Sequence, residues 1–396
     1  MKNELKSSPI GLLPNDWRIG MLGEYLDYIQ PTKYITKSFN EIGNTPVLTA
    51  NKAFILGYTD ETEGVYNNVP VIIFDDFTTD SKFIDFPFKV RSSALKILAF
   101  TTKEIDINYL YESLKRIKYQ STEHKRYWIS EYQYLKIPIP PVPEQQKIAE
   151  ILSTVDAKIE IIDQQISETQ DLKKGLMQQL LTKGIGHTEF KDSALGKIPK
   201  SWEVVKLKDV AEYVKDGTHG THKEVEAGIP LLSAKDIRNG KIHIPDNCRK
   251  LSNDDFNSIH RNFKLMDGDV LLTVVGSIGR IAIIEGYKNN YTFQRSVGYV
   301  RFNNENYPYF FKQFFQSEFF TKQLSLRSNA SAQAGVYLGE LSKIPIPVIS
   351  YNEQKEIAEI LTSFDDKLQV LSEKKTTYQE LKQGLMQQLL TGKVRV

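Results

Sequence analysis

The chain has 396 residues, of which 40% are hydrophobic and 11% aromatic, and its formal net charge is +2. This composition excludes a disordered chain, and the length exceeds what one ordinary core accommodates, so we expect more than one domain. A single cysteine, Cys248, excludes internal disulfides and is typical of a reducing compartment. No apolar run reaches the ~18 residues of a membrane span, and the first residues lack a signal peptide's apolar core. We therefore expect a cytoplasmic protein with no membrane contact.

The chain contains an internal repeat, and the repeat indicates how it is organised. The segment IPIPPVPEQQKIAEILSTVDAKI from Ile137 returns as IPIPVISYNEQKEIAEILTSFDDKL from Ile344. Likewise, LKKGLMQQLLTKG from Leu172 returns as LKQGLMQQLLTGK from Leu381. The stretches between the repeats share little sequence. Two scaffolding parts have stayed alike while two others diverged, which is typical of a bipartite reader and not of drift spread evenly after a duplication.

The first domain is predicted to span residues 1–142 and to mix strands with a closing helix. It begins with SPIGLLPNDWRIGMLGEYLDYI, which is matched later by SALGKIPKSWEVVKLKDVAEYV. Residues 69–77 (VPVIIFDDF) and 82–90 (KFIDFPFKV) are β-branched and aromatic runs that predict two strands joined by TTDS. INYLYESLKRIKY predicts the helix. The IPIP segment after it is expected to be extended, because proline excludes helix and restricts the preceding residue.

A long helix is predicted at 143–184, and a second at 350–396. Apolar residues recur in steps of three and four, the spacing of a coiled-coil seam. In the first helix Thr169 and Lys173 weaken the seam, and in the second Lys375 interrupts it. The seam residues are Ile148, Leu152, Val155, Ile159, Ile162, Ile166, Leu176 and Leu180, then Ile357, Leu361, Phe364, Leu368, Leu371, Tyr378, Leu385 and Leu389.

The ends of both helices carry the usual sequence signals. Pro143 and Glu144 suit a first turn, Asn352 is predicted to be an N-cap, and Gly184 and Gly392 suit the position just past a helix end. Each helix would run about 39 residues, or roughly 58 Å. A helix of this length with one apolar stripe is unstable alone. We therefore expect the two helices to pair as a rigid spacer.

The second domain is predicted to span residues 185–349, again with mixed strands and helices. GDVLLTVVGSIGRIAIIEG predicts two strands that meet at a tight glycine turn, residues 276–279, where the lack of a side chain allows a close approach of the backbone. FQRSVGYVRF predicts a third strand. PYFFKQFFQSEFFTKQLSL predicts a closing helix whose aromatic residues, at helical spacing, belong to the core. A second IPIP segment follows.

These motifs resemble those of type I restriction-modification specificity subunits. The resemblance rests on the IPIP…EQ helix, the GLMQQLL helix end, the IPxxW segment, the GDVLLTVVGSIGR…FQRSVG block and DGTH at 216–219. It covers almost the whole chain, while the variable domains, the first above all, depart from the family. The resemblance implies an α+β fold with two target recognition domains separated by two antiparallel coiled-coil helices in a pseudo-two-fold repeat. It also implies that each domain reads one half of a split DNA target.

The same resemblance implies that partner subunits perform the chemistry. Members of the family bind double-stranded DNA, two modification subunits that methylate a base, and restriction subunits that translocate and cut DNA. This chain contains no glycine-rich cofactor loop, no NPP[YF] motif and no Walker A sequence. We therefore expect no catalytic residue and no cofactor on this chain, with S-adenosylmethionine, ATP and Mg²⁺ bound by the partners.

Candidate DNA-binding residues are the polar side chains in turns between strands, because base contacts specify a sequence and phosphate contacts position the reader. In the first domain they are Thr78, Thr79, Ser81, Lys82, Lys89, Arg91, Ser92, Lys125 and Arg126. In the second domain they are Thr218, His219, Arg280, Gln294, Arg295, Ser296, Arg327, Ser331 and Gln333.

Other chemistries fit the sequence less well. The glycine turn lacks the spacing of a phosphate-binding loop, and no Glu-x-Lys element follows Asp75 and Asp76 as a nuclease would require. Asp76 is expected to cap a turn or to accept from a cytosine amino group. We expect no metal, because no standard zinc spacing is formed by His219, His222, His243 and Cys248. A rival function, from another class, is a coiled-coil scaffold that binds protein or carbohydrate surfaces, which accounts better for the modest net charge.

Overall fold

The computed structural model describes residues 4–50, 54–102, 104–117, 127–328 and 335–396. The chain forms two compact units, residues 1–164 with 373–396, and residues 165–372. Each unit therefore combines one globular domain with one segment from each of the two long helices. Among the described residues, none of the helices is long and apolar enough to cross a membrane.

The first globular domain contains eleven strands and three short α-helices among its described residues. The strands are β1 Leu5–Ser8, β2 Gly11–Pro14, β3 Arg18–Met21, β4 Leu26–Ile29, β5 Thr45–Leu48, β6 Ile55–Thr59, β7 Val71–Asp75, β8 Ser81–Ile84, β9 Lys89–Val90, β10 Leu95–Phe100 and β11 Lys136–Ile139. The helices are α1 Leu22–Tyr25, α2 Ile107–Arg116 and α3 Tyr127–Ser130, and the first long helix is α4 Val142–Lys183.

The second globular domain has the same kind of composition. Its strands are β12 Phe190–Ser193, β13 Gly196–Pro199, β14 Glu203–Lys206, β15 Ala211–Asp216, β16 Ile229–Leu232, β17 Ile237–Arg238, β18 Lys241–Ile242, β19 Lys250–Leu251, β20 Val270–Thr273, β21 Ile281–Ile283, β22 Thr292–Phe293, β23 Val297–Phe302 and β24 Pro345–Val348. The helices are α5 Leu207–Val210, α6 Asn253–Ile259, α7 Pro308–Phe314, α8 Glu318–Arg327 and α9 Leu338–Leu341, followed by the second long helix, α10 Tyr351–Leu389.

The two domains have matching sheets, although their variable stretches share little sequence. A four-stranded sheet has the order β4-β10-β7-β8 in the first domain and β15-β23-β20-β21 in the second. A three-stranded sheet has the order β6-β5-β9 in one and β19-β16-β22 in the other. In both cases the last pairing, β5 with β9 and β16 with β22, is parallel. The α+β fold class and the internal repeat are therefore confirmed.

The fully apolar runs form the central strands of the four-stranded sheets. Along β7, Ile72 and Phe74 pack into one core while Val71 and Ile73 pack into another on the opposite face. The sheet is buried on both sides, which explains why β7 has no polar alternation. The predicted hairpins of β7 with β8 and β20 with β21 are confirmed.

Two predicted strands are wrong in the same way, because each one is split between two sheets. The run 82–90 forms β8 in the four-stranded sheet and β9 in the three-stranded sheet. The run 293–302 likewise ends β22 and begins β23. Periodicity predicts extended backbone but does not indicate which neighbour a strand pairs with.

The predicted closing helix of the second domain is also split, into α7 and α8. Ser317 caps α8, because its Oγ accepts a hydrogen bond from the Phe320 amide at 3.2 Å. Phe310, Phe311 and Phe314 are buried, so the prediction that the aromatic residues form core is confirmed.

The long helices pair within each unit, and the first unit shows their direction. Asp156 and Asp163 of α4 contact Lys382 and Lys375 of α10, respectively. As the residue number along α4 rises, the number of the contacting residue on α10 falls, so the two segments are antiparallel. Most of the predicted seam residues are buried or half-buried, as are Thr169 and Lys173, the predicted weak points of the seam.

In the second unit the helix segments are antiparallel as well. Lys173 Nζ lies 2.6 Å from Asp365 Oδ1, and just beyond the end of α4 the Ile185 amide donates to Glu353 Oε1 at 3.1 Å. Gly184 follows α4 with φ +62°, as predicted for a glycine past the helix end. The prediction that Asn352 is an N-cap is wrong. Tyr351 and Asn352 already belong to α10, and the Ser350 hydroxyl accepts from the Glu353 amide at 3.3 Å.

The repeated Glu-Gln pair fastens each helix start to its domain. The Trp17 indole donates to Glu144 Oε2 at 3.0 Å, and Gln145 accepts from the Asp106 amide at the start of α2 at 2.7 Å. The prediction that the IPIP segments are extended is confirmed. They form β11, which pairs with β3, and β24, which pairs with β14. Each long helix therefore leaves its domain from a fixed point.

The second unit repeats this arrangement. The Trp202 indole donates to Glu353 Oε2 at 3.2 Å, and Gln354 accepts from the Tyr307 amide at the start of α7 at 2.6 Å. The basic side chain beside the glutamate differs between the copies. Arg395 donates to Glu144 in the first unit, while His187 bonds to Glu353 in the second.

Candidate nucleic-acid interface

In each domain one short loop carries the chain from the three-stranded sheet to the four-stranded sheet. We call residues 91–94 and 294–296 the junction loops. The Arg91 amide donates to Leu48 O at 2.8 Å, and the Gln294 amide donates to Leu232 O at 2.8 Å. Because these bonds are equivalent, Arg91 and Gln294 occupy the same backbone position in the two domains.

A threonine turn lies against each junction loop. The Thr36 amide donates to Val90 O at 3.0 Å, and the Thr218 amide donates to Phe293 O at 2.9 Å. Each threonine Oγ1 also accepts from the amide two residues further on, at 3.2 Å in both domains. Thr218 is among the residues predicted from the sequence, whereas Thr36 is not, because nothing in the local sequence around Thr36 resembles DGTH.

In the first domain the threonine turn is anchored by an ion pair. Thr36 Oγ1 donates to Glu61 Oε1 at 2.8 Å, and Glu61 Oε2 lies 2.6 Å from Lys89 Nζ. Hydrogen bonds from Lys89, Ser38 and Thr36 lower the pKa of the Glu61 carboxyl to about 2. Lys89 is only 4% exposed and also donates to Glu63 O, so we leave this candidate out of the interface.

In the second domain a histidine and an aspartate replace that ion pair. Thr218 Oγ1 lies 2.8 Å from His222 Nε2, and His222 Nδ1 lies 3.1 Å from Asp255 Oδ1. Hydrogen bonds from His222 and Ser252 hold the pKa of the Asp255 carboxyl below its usual range. An ionised carboxylate only accepts, so Nδ1 carries the proton, and in a neutral ring Nε2 accepts from Thr218.

The hairpin turn after the central strand is the third element at each junction. In the first domain the Asp75 carboxylate accepts from the Phe77 amide at 2.9 Å and from Thr78 Oγ1 at 2.7 Å. Thr79 has φ +62°, a conformation that side chains rarely adopt. Ser81 pairs with Phe74 in the sheet. The Asp75 carboxylate therefore organises a rigid turn that presents Thr78 and Thr79.

In the second domain the corresponding turn is built on glycine. Gly276 and Gly279 have φ +79° and +88°, so the predicted tight turn is confirmed. Arg280 is exposed, yet its guanidinium donates to Ala234 O and Ile237 O, both at 3.3 Å. These two bonds hold the Arg280 side chain against the junction.

The second-domain candidates come together around one loop. The Arg295 amide donates to Thr218 O at 3.1 Å, and Ser296 Oγ accepts from the Ala234 amide at 3.1 Å. Ala234 also accepts from Arg280, so these bonds link Thr218, Arg295, Ser296 and Arg280 in one surface. His219 is exposed beside them and bonds to Asp216 Oδ2 at 2.8 Å.

The first-domain junction presents different side chains. Arg91 is exposed, donates to Lys37 O at 3.1 Å and lies over the Phe39 ring, 5.5 Å from its centroid. Ser92 Oγ accepts from the Ala94 amide at 3.3 Å. Lys82 is exposed on β8. We call the threonine turn, junction loop and hairpin turn of each domain its junction surface.

Some candidates do not join a junction surface. Arg327 ends α8 and folds back onto Gln323. The candidates Lys125, Arg126, Ser331 and Gln333 lie outside the described residues. The chain after residue 334 returns to the second junction surface, because Val275 bridges to Gly335 and the Val336 amide donates to Val274 O at 2.8 Å.

Asp76 has an internal role, which matches one of its two predicted roles. Its residue is 1% exposed, and Oδ1 accepts from the Trp128 amide at 3.0 Å at the start of α3. Within the described part of the chain, no three His, Cys, Asp or Glu side chains are grouped so that they could hold a metal ion.

The family model for the type I restriction modification DNA specificity domain matches residues 14–170 and 199–383. The chain is 30% identical over 407 residues to the type I restriction enzyme MjaVIII specificity subunit of Methanocaldococcus jannaschii, covering 97% of this chain and 94% of that one. It is also 30% identical over 357 residues to the EcoR124I/EcoR124II specificity subunit of Escherichia coli, covering 87% and 85%.

The fold is found in solved structures as well. The crystal structure of the type I restriction-modification S subunit from M. genitalium is 17% identical and superimposes with a TM-score of 0.61, covering 98% of this chain and 99% of that one. The match to the family model takes in both domains and most of both long helices. The chain therefore belongs to the family of type I restriction-modification DNA specificity subunits.

Proposed function

We propose that the chain reads a split DNA target, with one half-site at the junction surface of each recognition domain. The observation that carries the proposal is the equivalence of the two junction loops. One backbone position presents Arg91 in the first domain and Gln294 in the second. Arginine pairs with guanine O6 and N7, and glutamine pairs with adenine N6 and N7. A shared backbone with different side chains can therefore read two different half-sites.

The cations around the junction loops are expected to position the recognition domains on the DNA. Arg280, Arg295 and Lys82 are exposed cations at the rims of the junction surfaces. Contacts from such side chains to phosphates fix the orientation of a reader on the duplex without specifying bases. Their binding contribution decreases with salt, because each contact releases counterions. We expect binding to DNA to weaken steeply as salt rises.

The chemistry belongs to partner subunits in this proposal. Two modification subunits bind the chain and supply S-adenosylmethionine and methyl transfer, and restriction subunits supply ATP- and Mg²⁺-dependent translocation and cleavage. The presence of two equivalent units supports a stoichiometry of two modification subunits per chain. Native mass spectrometry of the co-expressed complex tests this number, and a complex with one modification subunit would contradict it.

The decisive experiment is a methylation map from cells that co-express the chain with its modification subunit. Gln294→Ala and Arg91→Gln are compared with Lys208→Gln, an exposed lysine outside both junction surfaces. We expect each junction-loop variant to relax one half-site, with discrimination there reduced roughly tenfold to a hundredfold. The other half-site and the Lys208→Gln map should match the wild type.

Each junction-loop variant also serves as the control for the other, because a general loss of folding would affect both half-sites. Persistent methylation of an unchanged motif by both variants would contradict the assignment of the junction surfaces. The rival scaffold function is not favoured, because the family model covers both variable domains.

A further inference from the structure

In each unit one buried lysine joins the two long helices to a helix of the recognition domain. In the first unit Lys382 of α10 contacts Asp156 of α4, and its Nζ lies 3.0 Å from Glu112 Oε2 on α2. In the second unit Lys173 Nζ of α4 lies 2.6 Å from Asp365 Oδ1 of α10. We call these clusters the three-helix pins.

The second pin is completed through the aspartate. Gln313 Nε2 of α7 donates to Asp365 Oδ2 at 2.8 Å, so Lys173, Asp365 and Gln313 form one chain of polar contacts. Lys173 and Lys382 occupy the same place in the repeated LKKGLMQQLL and LKQGLMQQLL segments. Both pins therefore contain one long-helix lysine, one long-helix aspartate and a polar residue of a domain helix. The first pin has one more member, Lys115 of α2, whose Nζ lies 3.1 Å from Glu112 Oε1 and 3.2 Å from Asp156 Oδ2.

Stability alone does not explain these lysines. They are 7% and 8% exposed and lie in the seam, where a methionine of similar length would pack without the desolvation of a charge. A buried ion pair does restrict geometry, because sliding a helix by one residue moves each side chain about 1.5 Å and rotates it about 100°. The buried charges would then lose their partners, so one register is selected.

We propose that Lys382 and Lys173 are positioning residues that fix the setting of each recognition domain on its helix segments, and thereby the half-site spacing that the subunit accepts. This inference rests on the proposed function. The three-way geometry matters because a domain free to shift against its helices by about 3.4 Å would reach the next base pair. A seam with apolar contacts alone offers no comparable restriction.

The first unit contains a matched control. Lys375 Nζ of α10 lies 2.5 Å from Asp163 Oδ1 of α4, so this pair also bridges the two helices. The pair is more exposed, with 32% and 47% of the side chains accessible. Removing it tests the loss of a helix-to-helix ion pair without loss of a pin.

The experiment co-expresses the chain with its modification subunit and a plasmid library in which the target's spacer is lengthened or shortened by one or two base pairs. Lys382→Met, Lys173→Met and Lys375→Met are compared with the wild type by sequencing methylated sites. We expect the first two variants to raise methylation at the neighbouring spacings about tenfold relative to the native spacing, with both half-sites unchanged. Lys375→Met should keep the wild-type profile.

Lys173→Met is the safer variant, because the residues left behind are a half-exposed aspartate and a neutral glutamine. An equal fall in methylation at every spacing, or an unchanged profile in both pin variants, would overturn the positioning role. If the wild-type complex methylates no split motif, the proposed function fails instead, so the two failures are distinguishable.

Discussion

The two recognition domains share a backbone plan at the junction surface but hold it with different chemistry. Thr36 and Thr218 form the same turn, and the junction loops make the same bonds. The first domain anchors its threonine on the Glu61–Lys89 ion pair, and the second anchors it through His222 to Asp255. The backbone is maintained while its supports vary, which frees the exposed side chains to differ between half-sites.

The helix starts show the same division between what is kept and what varies. Glu144 and Glu353 both accept from a tryptophan indole, and this part is repeated. In the first unit Arg395 donates to both Glu144 and Asp16. In the second unit His187 bonds to Glu353. The repeated residues thus fix the geometry of each helix start, and the variable residues adjust how strongly that helix start is held. Three pairs of substitutions would break or sharpen this comparison.

The largest effect is expected at a position where the side chains of the two domains differ in size. Gly217 corresponds to Ile35, because each directly precedes the equivalent threonine. A Cβ at Gly217 would overlap the carbonyl oxygens of Phe293 and Gln294, so Gly217→Ala should destabilise the second domain by about 3 kcal/mol. Ile35→Ala should cost the first domain about 1–2 kcal/mol through lost packing. Hydrogen exchange, resolved by domain with mass spectrometry, measures both.

The comparison would be wrong if the second domain accepted the new methyl group at no cost. Exchange in the domain that does not carry the substitution serves as the internal control for each variant.

A smaller effect is expected at the helix starts. Arg395 donates to Glu144 and to Asp16, and these bonds raise the pKa of its guanidinium. Arg395→Leu leaves the buried Glu144 with its indole donor but no cation, so we expect a loss of about 2 kcal/mol. His187→Leu should cost about 1 kcal/mol, because one hydrogen bond to Glu353 is removed.

Thermal unfolding of both variants, compared with the wild type, provides the measurement. Equal losses of stability in Arg395→Leu and His187→Leu would show that the two helix starts are held equally strongly, which would contradict the difference expected between them.

The smallest effect concerns acid stability. The Glu61 carboxyl has a pKa of about 2 in the fold against an ordinary value of 4.5, so its contribution is full above pH 4.5 and is lost as the pH falls toward 2. Glu61→Gln should therefore be less stable than the wild type near neutral pH, and the difference should vanish toward pH 2. Urea unfolding at a series of pH values measures this difference.

Asp255→Asn is the matched variant in the second domain. The pKa of Asp255 is also lowered, from an ordinary value of 3.8, so the loss of its contribution should begin at a lower pH than for Glu61. A difference between Glu61→Gln and the wild type that stays constant down to pH 2 would contradict the anchoring role of the Glu61–Lys89 pair.

Much of the architecture was available from local sequence. The repeat, the long helices, their seam and the hairpins of β7 with β8 and β20 with β21 all follow from periodicity and from glycine or proline signals within a short window. The family resemblance followed from the same segments. The candidate site was found in part, since Arg91, Gln294 and Arg295 lie on junction surfaces.

Other features depended on partners far away in sequence. Lys89 was predicted to be an exposed cation, but it is buried and forms an ion pair with Glu61, which lies 28 residues away in sequence. Lys173 was predicted to weaken the seam. In the structure it bonds to Asp365, nearly two hundred residues later in sequence, and so belongs to a three-helix pin. Local sequence determines which backbone conformation a segment prefers and which face is apolar. Only the tertiary structure decides which buried charges meet and which strand joins which sheet, because those energies depend on contacts between distant residues.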